Sequence, residues 1–412
     1  MPSSGVRAVE RIIVKVLIIR LSAIGDVVRT LPALSCLRRA WPDAHIDWAV
    51  EEASGEILED QPDINGIVVF PRRRLSRIPL HPDGIPAAWR DLRAFLDTIR
   101  DARYDVVIDF QGTLKTGILS RLTRAPRRIG FGRGHAREMS QVFYTEAVAL
   151  PRRKMNRVDR ALAMIEGIGV DVSNPVSDIP EAPVDASYVA SFLETLPRGG
   201  GDPAQPVVIF PGTSAGQAYK RYPPGHFARA ADRIAEATGA PVVVAWGPGE
   251  ETLAEEVIDA METPGVMAPS LSLSQLSALI RRSLVFVSSD TGPMHMAWTV
   301  GAPVVAVLGP TDPVLNHPGG PLGTVAYRKI ACSPCRNRGC IARTCLESLP
   351  PDTVARAAIE VVRRASAAGR TITSGDSGSG PGSAPARHLA IGGGDGEGGG
   401  AAPGMTPGGS GA

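Results

Sequence analysis

The stretch from Leu284 to Pro313 confines this chain to one broad class of fold. An apolar run, Leu284 to Val287, leads into the polar loop Ser288-Ser289-Asp290-Thr291-Gly292 and on into Pro293-Met294-His295-Met296-Ala297. A second apolar run, Val304 to Leu308, ends in Gly309-Pro310-Thr311-Asp312-Pro313. Read as strand, loop, helix and strand, this is one unit of a parallel α/β sheet. Ligands of such sheets lie beyond the carboxyl ends of the strands, where a starting helix offers unpaired backbone N–H groups and the positive end of its dipole. Thr291 is placed to cap that helix, Gly292 to let the backbone approach a ligand, and Pro293 to occupy the first turn, where its missing N–H costs nothing. The loop suits an anion, above all a nucleotide diphosphate. As a plain capped turn it would need no ligand.

The same unit recurs, and 412 residues suit two α/β domains rather than one. Val14 to Ile19 runs into Arg20-Leu21-Ser22-Ala23-Ile24-Gly25-Asp26, with Asp26 at or near a helix N-terminus and Pro32 expected to kink or restart that helix. Ala44 to Glu52 and Ile67 to Phe70 read as further strands. Tyr104 to Phe110 delivers Gln111-Gly112-Thr113-Leu114-Lys115, Val207 to Phe210 delivers Pro211-Gly212-Thr213-Ser214 and then Lys220, and Pro241 to Trp246 delivers Glu250 and Glu251. Helices are expected over 86–103, 156–165, 225–238, 272–282 and 351–365. The segment Arg121 to Arg137, with Gly130, Gly132 and Gly134 between arginines, is expected to be an irregular exposed loop.

The expected organisation is a leader, 1–13; a first domain, 14–196; a linker, 197–206; and a second domain, 207–365. A Gly/Ser/Pro/Ala tail, 366–412, has too little apolar surface to offset the entropy of ordering. A formal net charge of +2 gives no overall pull towards nucleic acid. Distribution matters more than the total: Lys115 to Arg160 carries twelve Lys and Arg against three Asp and Glu, a face for something anionic or an arginine-rich solvated surface. No run approaches the roughly 20 apolar residues that span a bilayer. With no convincing secretory signal, the expected place is the cytoplasm, resting at a membrane surface.

Two such domains predict a cleft between them. The second carries Thr213, Ser214, Lys220, Glu250, Asp290, Thr291, Gly292 and His295. Hydroxyls and a lysine can neutralise a pyrophosphate, and a carboxylate at a strand end can take ribose hydroxyls. Neither a Gly-x-Gly-x-x-Gly turn nor a Walker loop is present in that half, which disfavours a dinucleotide dehydrogenase and a P-loop enzyme.

Five segments, in order, resemble glycosyltransferase family 9, the ADP-heptose:lipopolysaccharide heptosyltransferases. They are Arg20 to Leu34; Gln111-Gly112 with Lys115; Pro211-Gly212-Thr213 with Lys220-Arg221-Tyr222-Pro223; Ser289 to Gly292 with His295; and Gly309 to Pro313. Asp47-Trp48-Ala49-Val50-Glu51-Glu52 is similar to the heptosyltransferase I branch. The resemblance implies an α/β fold of GT-B type, two facing Rossmann-like domains with parallel sheets, the acceptor held mainly by the first and the nucleotide sugar mainly by the second. It implies an inverting single displacement without a catalytic metal, in which Asp26 is the base, Glu250 (or Glu251) holds the ribose, and Ser22, Gln111, Lys115 and Arg137 meet the acceptor. The partners implied are ADP-heptose and an anionic lipid-linked acceptor of Kdo-lipid A type. The same motifs also suit a family 9 transferase with another acceptor or nucleotide sugar, or a silent nucleotide-sugar-binding protein of envelope assembly.

Two residues stay open. Asp290 would repel a pyrophosphate and is expected to orient backbone N–H groups or contact a sugar hydroxyl. His295 either reaches the donor or packs in the core. Cys332-x₂-Cys335-x₄-Cys340-x₄-Cys345 admits a structural zinc site, an iron–sulfur cluster, or free or disulfide-paired thiols. Cys36 reads as a core residue.

Overall fold

The computed structural model describes residues 14–72, 84–197, 205–214 and 216–369. The leader 1–13, residues 198–204 of the linker and the tail from 370 onward lie outside them. The first sheet comprises β1 (Lys15–Ile19), β2 (His45–Glu51), β3 (Gly66–Phe70), β4 (Val106–Asp109), β5 (Arg127–Phe131) and β6 (Glu146–Val148). The second comprises β7 (Val207–Phe210), β8 (Val242–Val244), β9 (Gly265–Met267), β10 (Val285–Ser289), β11 (Val304–Leu308) and β12 (Gly323–Tyr327).

All the pairings are parallel, in the orders β3-β2-β1-β4-β5-β6 and β12-β11-β10-β7-β8-β9. Counted from its own first strand, the second sheet repeats the order of the first. In each sheet the chain reverses its direction of growth beside the first strand, and a crevice opens there beyond the strand ends. The loops after β1 and β4, and those after β7 and β10, border the two crevices. They are the segments singled out from sequence.

The β-branched runs are buried on both sides, as strands covered by helices on both faces must be. Alternate residues serve different cores: Leu17, Ile19 and Val107 pack on one face of the first sheet, while Val16, Ile18 and Ile108 pack on the other. The inner faces of both sheets share one continuous apolar cluster, which runs from Ile18 and Trp48 to Phe210, Phe286 and Ala306. Helix Leu273–Arg281, closed by a Ser272/Gln275 capping box, packs against helix Pro183–Glu194 within that join.

Pro32 restarts the helix as its position predicts: Ile24–Val28 ends, and Leu31–Ala40 begins with the proline in its first turn. The Arg121–Arg137 segment departs from expectation, because β5 runs through it. Ile129 and Phe131 are buried, whereas Arg127, at the exposed start of the strand, pairs with Glu146 on the neighbouring strand. Arginine stems tolerate the exposed start of a strand, and there they hid the buried run that follows. The final helix continues to Ala367, two residues past the expected domain end.

Candidate active site

The loop after β1 is shaped by its neighbour after β4. Asp109, fully buried, accepts hydrogen bonds from Gln111 N (2.8 Å), Gly112 N (3.0 Å) and Tyr144 Oη (2.7 Å). Gln111 in turn accepts from Leu21 N at 2.9 Å and Ser22 N at 3.3 Å. These bonds fix the path of the chain into the short helix that bears Asp26. Gln111 therefore positions the loop, and its amide nitrogen is the part left for a ligand.

Asp26 sits among three guanidiniums. Arg20 Nη2 meets Oδ2 at 2.6 Å, Arg29 Nη2 meets Oδ1 at 2.6 Å, and Arg157 Nη1 reaches Oδ1 at 2.9 Å and Oδ2 at 3.1 Å. Burial opposes the charge on Asp26. The attraction of Arg20, Arg29 and Arg157 outweighs it and holds the carboxyl well below the usual carboxylate range. Burial works the other way on Arg29, lowering it to about 10 although Asp26 favours its charge. Positive charge is left in excess around one carboxylate, which favours an incoming anion.

Arg157 begins the helix Arg157–Glu166, capped by Asn156, whose Oδ1 accepts from Val158 N. The sequence reading missed this residue, since 131 positions separate it from Asp26. Arg20 and Arg29 carried a readable signal. They flank Asp26 within the recognised motif, and Arg29 lies one helical turn beyond it.

The second sheet supplies the facing wall. Thr213 N donates to Glu250 Oε1 at 2.7 Å, and Arg221 Nη2 donates to the same oxygen at 3.1 Å while its Nε donates to Thr213 Oγ1 at 3.2 Å. A β-carbon on Gly212 would lie 1.9 Å from Glu250 Oε2, so the carboxylate can reach this loop only because position 212 has no side chain. Lys220 Nζ meets Asp290 Oδ2 at 3.0 Å. The charge of Asp290, without a partner in the sequence reading, is thus balanced by the lysine expected to bind phosphate. Ser214 is exposed at the rim.

Thr291 stands at the N-cap position of helix Gly292–Thr299 with extended backbone, but its side chain makes no capping hydrogen bond. The expected cap is absent, and the hydroxyl is not committed to closing the turn. His295 is buried against the loop of the other sheet: a β-carbon on Gly25 would lie 2.7 Å from His295 Cδ2 and 3.3 Å from Gly292 Cα. Burial, reinforced by Arg29, keeps its imidazole neutral, and Nδ1 has no hydrogen-bond partner. His295 therefore packs at the contact between the two crevices.

Further bonds cross between the halves near this contact. Arg29 Nη1 donates to Asn316 Oδ1 at 3.4 Å, Asn156 Nδ2 to His317 O at 3.2 Å, and Lys154 pairs with Asp312 at 2.7 Å. On the first sheet Lys115 pairs with Glu51 at 3.2 Å, with its Nζ 4.7 Å from the centre of the Phe70 ring, and Arg137 is exposed. A separate cavity of about 230 Å³, lined by Glu56, Glu59, Asp60 and Asp185, shares no residue with this site. Its carboxylates would repel a diphosphate.

A family model for glycosyltransferase family 9 (heptosyltransferase) matches residues 92–346. This chain belongs to glycosyltransferase family 9. It is 28% identical to lipopolysaccharide heptosyltransferase 1 of Pseudomonas aeruginosa over 336 residues, covering 79% of this chain and 87% of that protein. Against the enzyme of the same name from Escherichia coli K12 the identity is 28% over 313 residues, 73% of this chain and 89% of that one. Among solved structures, the E. coli heptosyltransferase WaaC with ADP superimposes with a TM-score of 0.59 at 26% identity, over 73% of this chain and 89% of that chain. A family 9 glycosyltransferase from Veillonella parvula gives a TM-score of 0.69 at 24% identity, over 85% and 97%. The two facing Rossmann-like halves are those of the GT-B fold, and this family 9 transferase is a glycosyltransferase.

Its cysteine loop carries free thiols, one of the arrangements its spacing admits. Cys345 is buried against Gly309, Cys332 and Cys335 are exposed, Cys340 is half-buried, and all four are free thiols. Four thiols would suit zinc chemically, but among the described residues no group of three or more His, Cys, Asp or Glu side chains is arranged to hold a metal ion. The loop instead folds back on the strand end after β11, where Cys335 N and Arg336 N donate to Pro310 O, both at 3.0 Å.

Proposed function

We propose that this family 9 transferase moves a heptose from ADP-heptose to the Kdo/inner-core region of lipopolysaccharide by inverting displacement, with Asp26 as the base. One observation carries the reading. Asp26, at the crevice of the first sheet, stands one residue from the point where Gly25 meets Gly292 and His295 at the crevice of the second. A sugar bridging the two would have the acceptor on one side of its anomeric carbon and the departing ADP on the other.

On the donor side, Glu250 Oε1 is held by Thr213 N and Arg221, which presents Oε2 to a ribose hydroxyl. The hydroxyls of Thr213, Ser214 and Thr291, the ammonium of Lys220 and the N–H groups that open helix Gly292–Thr299 are donors for the diphosphate. Asp290 keeps Lys220 in place. On the acceptor side, Ser22, the Gln111 amide, Lys115 and Arg137 border the loop of Asp26, and the excess of guanidinium charge suits the carboxylates and phosphates of a Kdo-type acceptor.

Asp26 has about four lone-pair sites, and the arginine contacts occupy them. An acceptor hydroxyl must displace one guanidinium before its proton can move to Asp26 as the new glycosidic bond forms and the bond to ADP breaks. Arg157 makes the longest contacts and is the partner displaced. Product masses after incubation with ADP-heptose and either Kdo-lipid A or a heptosylated acceptor test the assignment. One added heptose on Kdo-lipid A supports it; addition to the heptosylated acceptor alone, or to neither, overturns it.

Glu250→Ala should raise the dissociation constant for ADP by about tenfold to a hundredfold, the range for losing charge-assisted hydrogen bonds. Calorimetric titration with ADP reads this, and an unchanged affinity removes Glu250 from the donor site. The place of action we propose is the cytoplasmic face of the inner membrane, against which the chain rests; among the described residues no helix is long and apolar enough to cross a membrane. A structural zinc on Cys332, Cys335, Cys340 and Cys345 rests on spacing alone. Metal analysis of the purified protein, with Cys332→Ser as control, decides it.

A further inference from the structure

Beside the acceptor loop the first half carries an apolar patch that the proposed transfer does not use. Leu114 and Ile118 lie one turn apart on helix Leu114–Leu122 and are 42% and 40% exposed, while Met139 and Val142 are 65% and 61% exposed. The two segments are in contact. Leu114 N donates to Glu138 Oε2 at 3.2 Å, and a β-carbon on Gly117 would meet Phe143 at 3.0 Å and Ser140 O at 3.1 Å. The four side chains therefore form one patch rather than scattered surface residues.

The charge around the patch says what covers it. Met139 itself stands out in solvent from left-handed backbone, φ 58°. Around the patch stand exposed cations: Lys115 and Arg121 on the helix, and Arg133 and Arg137 on the segment before Met139. The acids against them are engaged: Glu138 accepts from Leu114 N, and buried Glu51 pairs with Lys115. Apolar side chains ringed by Lys and Arg fit the boundary between the acyl chains and the headgroups of an acidic bilayer.

We propose that Leu114, Ile118, Met139 and Val142 dock this chain on a membrane surface rich in acidic phospholipid, with Arg121 and Arg133 on the headgroups. The purpose of the contact rests on the proposed lipid-linked acceptor, since Lys115 leads from the patch towards the loop of Asp26; the contact itself rests on the surface alone.

Co-sedimentation of the full chain with vesicles that contain no acceptor tests it. Phosphatidylglycerol-containing vesicles should bind the protein, pure phosphatidylcholine vesicles should not, and the binding should weaken with salt. Met139→Asp with Val142→Asp should lower the binding about tenfold or more, given the cost of bringing charge to the acyl boundary. Arg121→Glu should lower it independently and make the loss with salt shallower, because less charge attraction is left to screen. Both variants should keep the wild-type melting temperature and wild-type transfer to a delipidated Kdo acceptor. Failure of that transfer in the wild type would overturn the heptosyltransferase reading and leave the docking result standing. Vesicle binding that is absent, or unchanged in both variants, overturns the docking surface. So does a wild-type dimer that the double variant dissociates, because the patch would then belong to a second copy.

Discussion

Asp26→Asn is expected to lower kcat for heptose transfer by about 10²–10⁴-fold, the usual worth of a positioned base, while ADP binds as it does to the wild type. Asparagine keeps the size of the side chain and one acceptor oxygen but cannot take a proton. The donor contacts at Thr213, Lys220 and Glu250 come from the other half of the molecule. Single-turnover transfer and ADP titration on the same preparation read the two effects, and transfer at the wild-type rate would remove Asp26 as the base. The pH dependence follows from the arginines. Because Arg20, Arg29 and Arg157 hold the folded carboxyl below its ordinary range against the effect of burial, Asp26 stays ionised throughout mildly acidic solution. The stability this contributes is present above the ordinary carboxylate pKa of about 3.9 and is lost as pH falls through the lower folded value. Arg157→Gln removes one of the three, and the acid limb of kcat/KM should move up in pH.

How much of this was legible in the chain differs by the range of the interaction. The apolar runs that become β1, β4, β7 and β10 were readable because both faces of each strand are buried, and the polar residues at their ends fall at the crevices for the same topological reason. Asp26, Thr213, Lys220, Glu250 and Asp290 are therefore placed by local pattern. Their partners were less readable. Arg221 adjoins Lys220, and Arg29 follows Asp26 by one turn, so both were close at hand. Arg157 enters the site only because the helix after Asn156 packs against Leu31–Ala40, a contact without a local signal. β5 was hidden for another reason: Arg127 and Arg128 at its start look like loop composition until Glu146 on the neighbouring strand supplies the partner of Arg127. The cysteine spacing admitted a metal site or free thiols; the four are free, with Cys345 buried and Cys332 and Cys335 exposed near it.

Gly25→Ala separates the contact between the halves from the chemistry of Asp26. Position 25 lies inside helix Ile24–Val28, where alanine ordinarily stabilises by about 1 kcal/mol over glycine. The new methyl would nevertheless sit 2.7 Å from His295 Cδ2 and 3.3 Å from Gly292 Cα, and the second neighbour is backbone that cannot rotate away. The two crevices must then part by a few tenths of an ångström or more, which shifts Asp26 relative to the donor loop. A displacement of about 1 Å can cost roughly 10²-fold in rate, so kcat/KM for transfer should fall by about that factor, while the melting temperature holds or falls modestly because overpacking offsets the helix gain. ADP affinity should fall by less than the rate, because Gly292 opens the helix assigned to the diphosphate, whereas Thr213, Lys220 and Glu250 lie on other loops. His295→Ala removes one of the two clashing groups. If the contact is the cause, adding it to Gly25→Ala should recover part of the loss, giving a favourable coupling in the double-mutant cycle. Wild-type transfer by Gly25→Ala would show instead that the sugar is transferred with the two halves further apart than they stand in this structure.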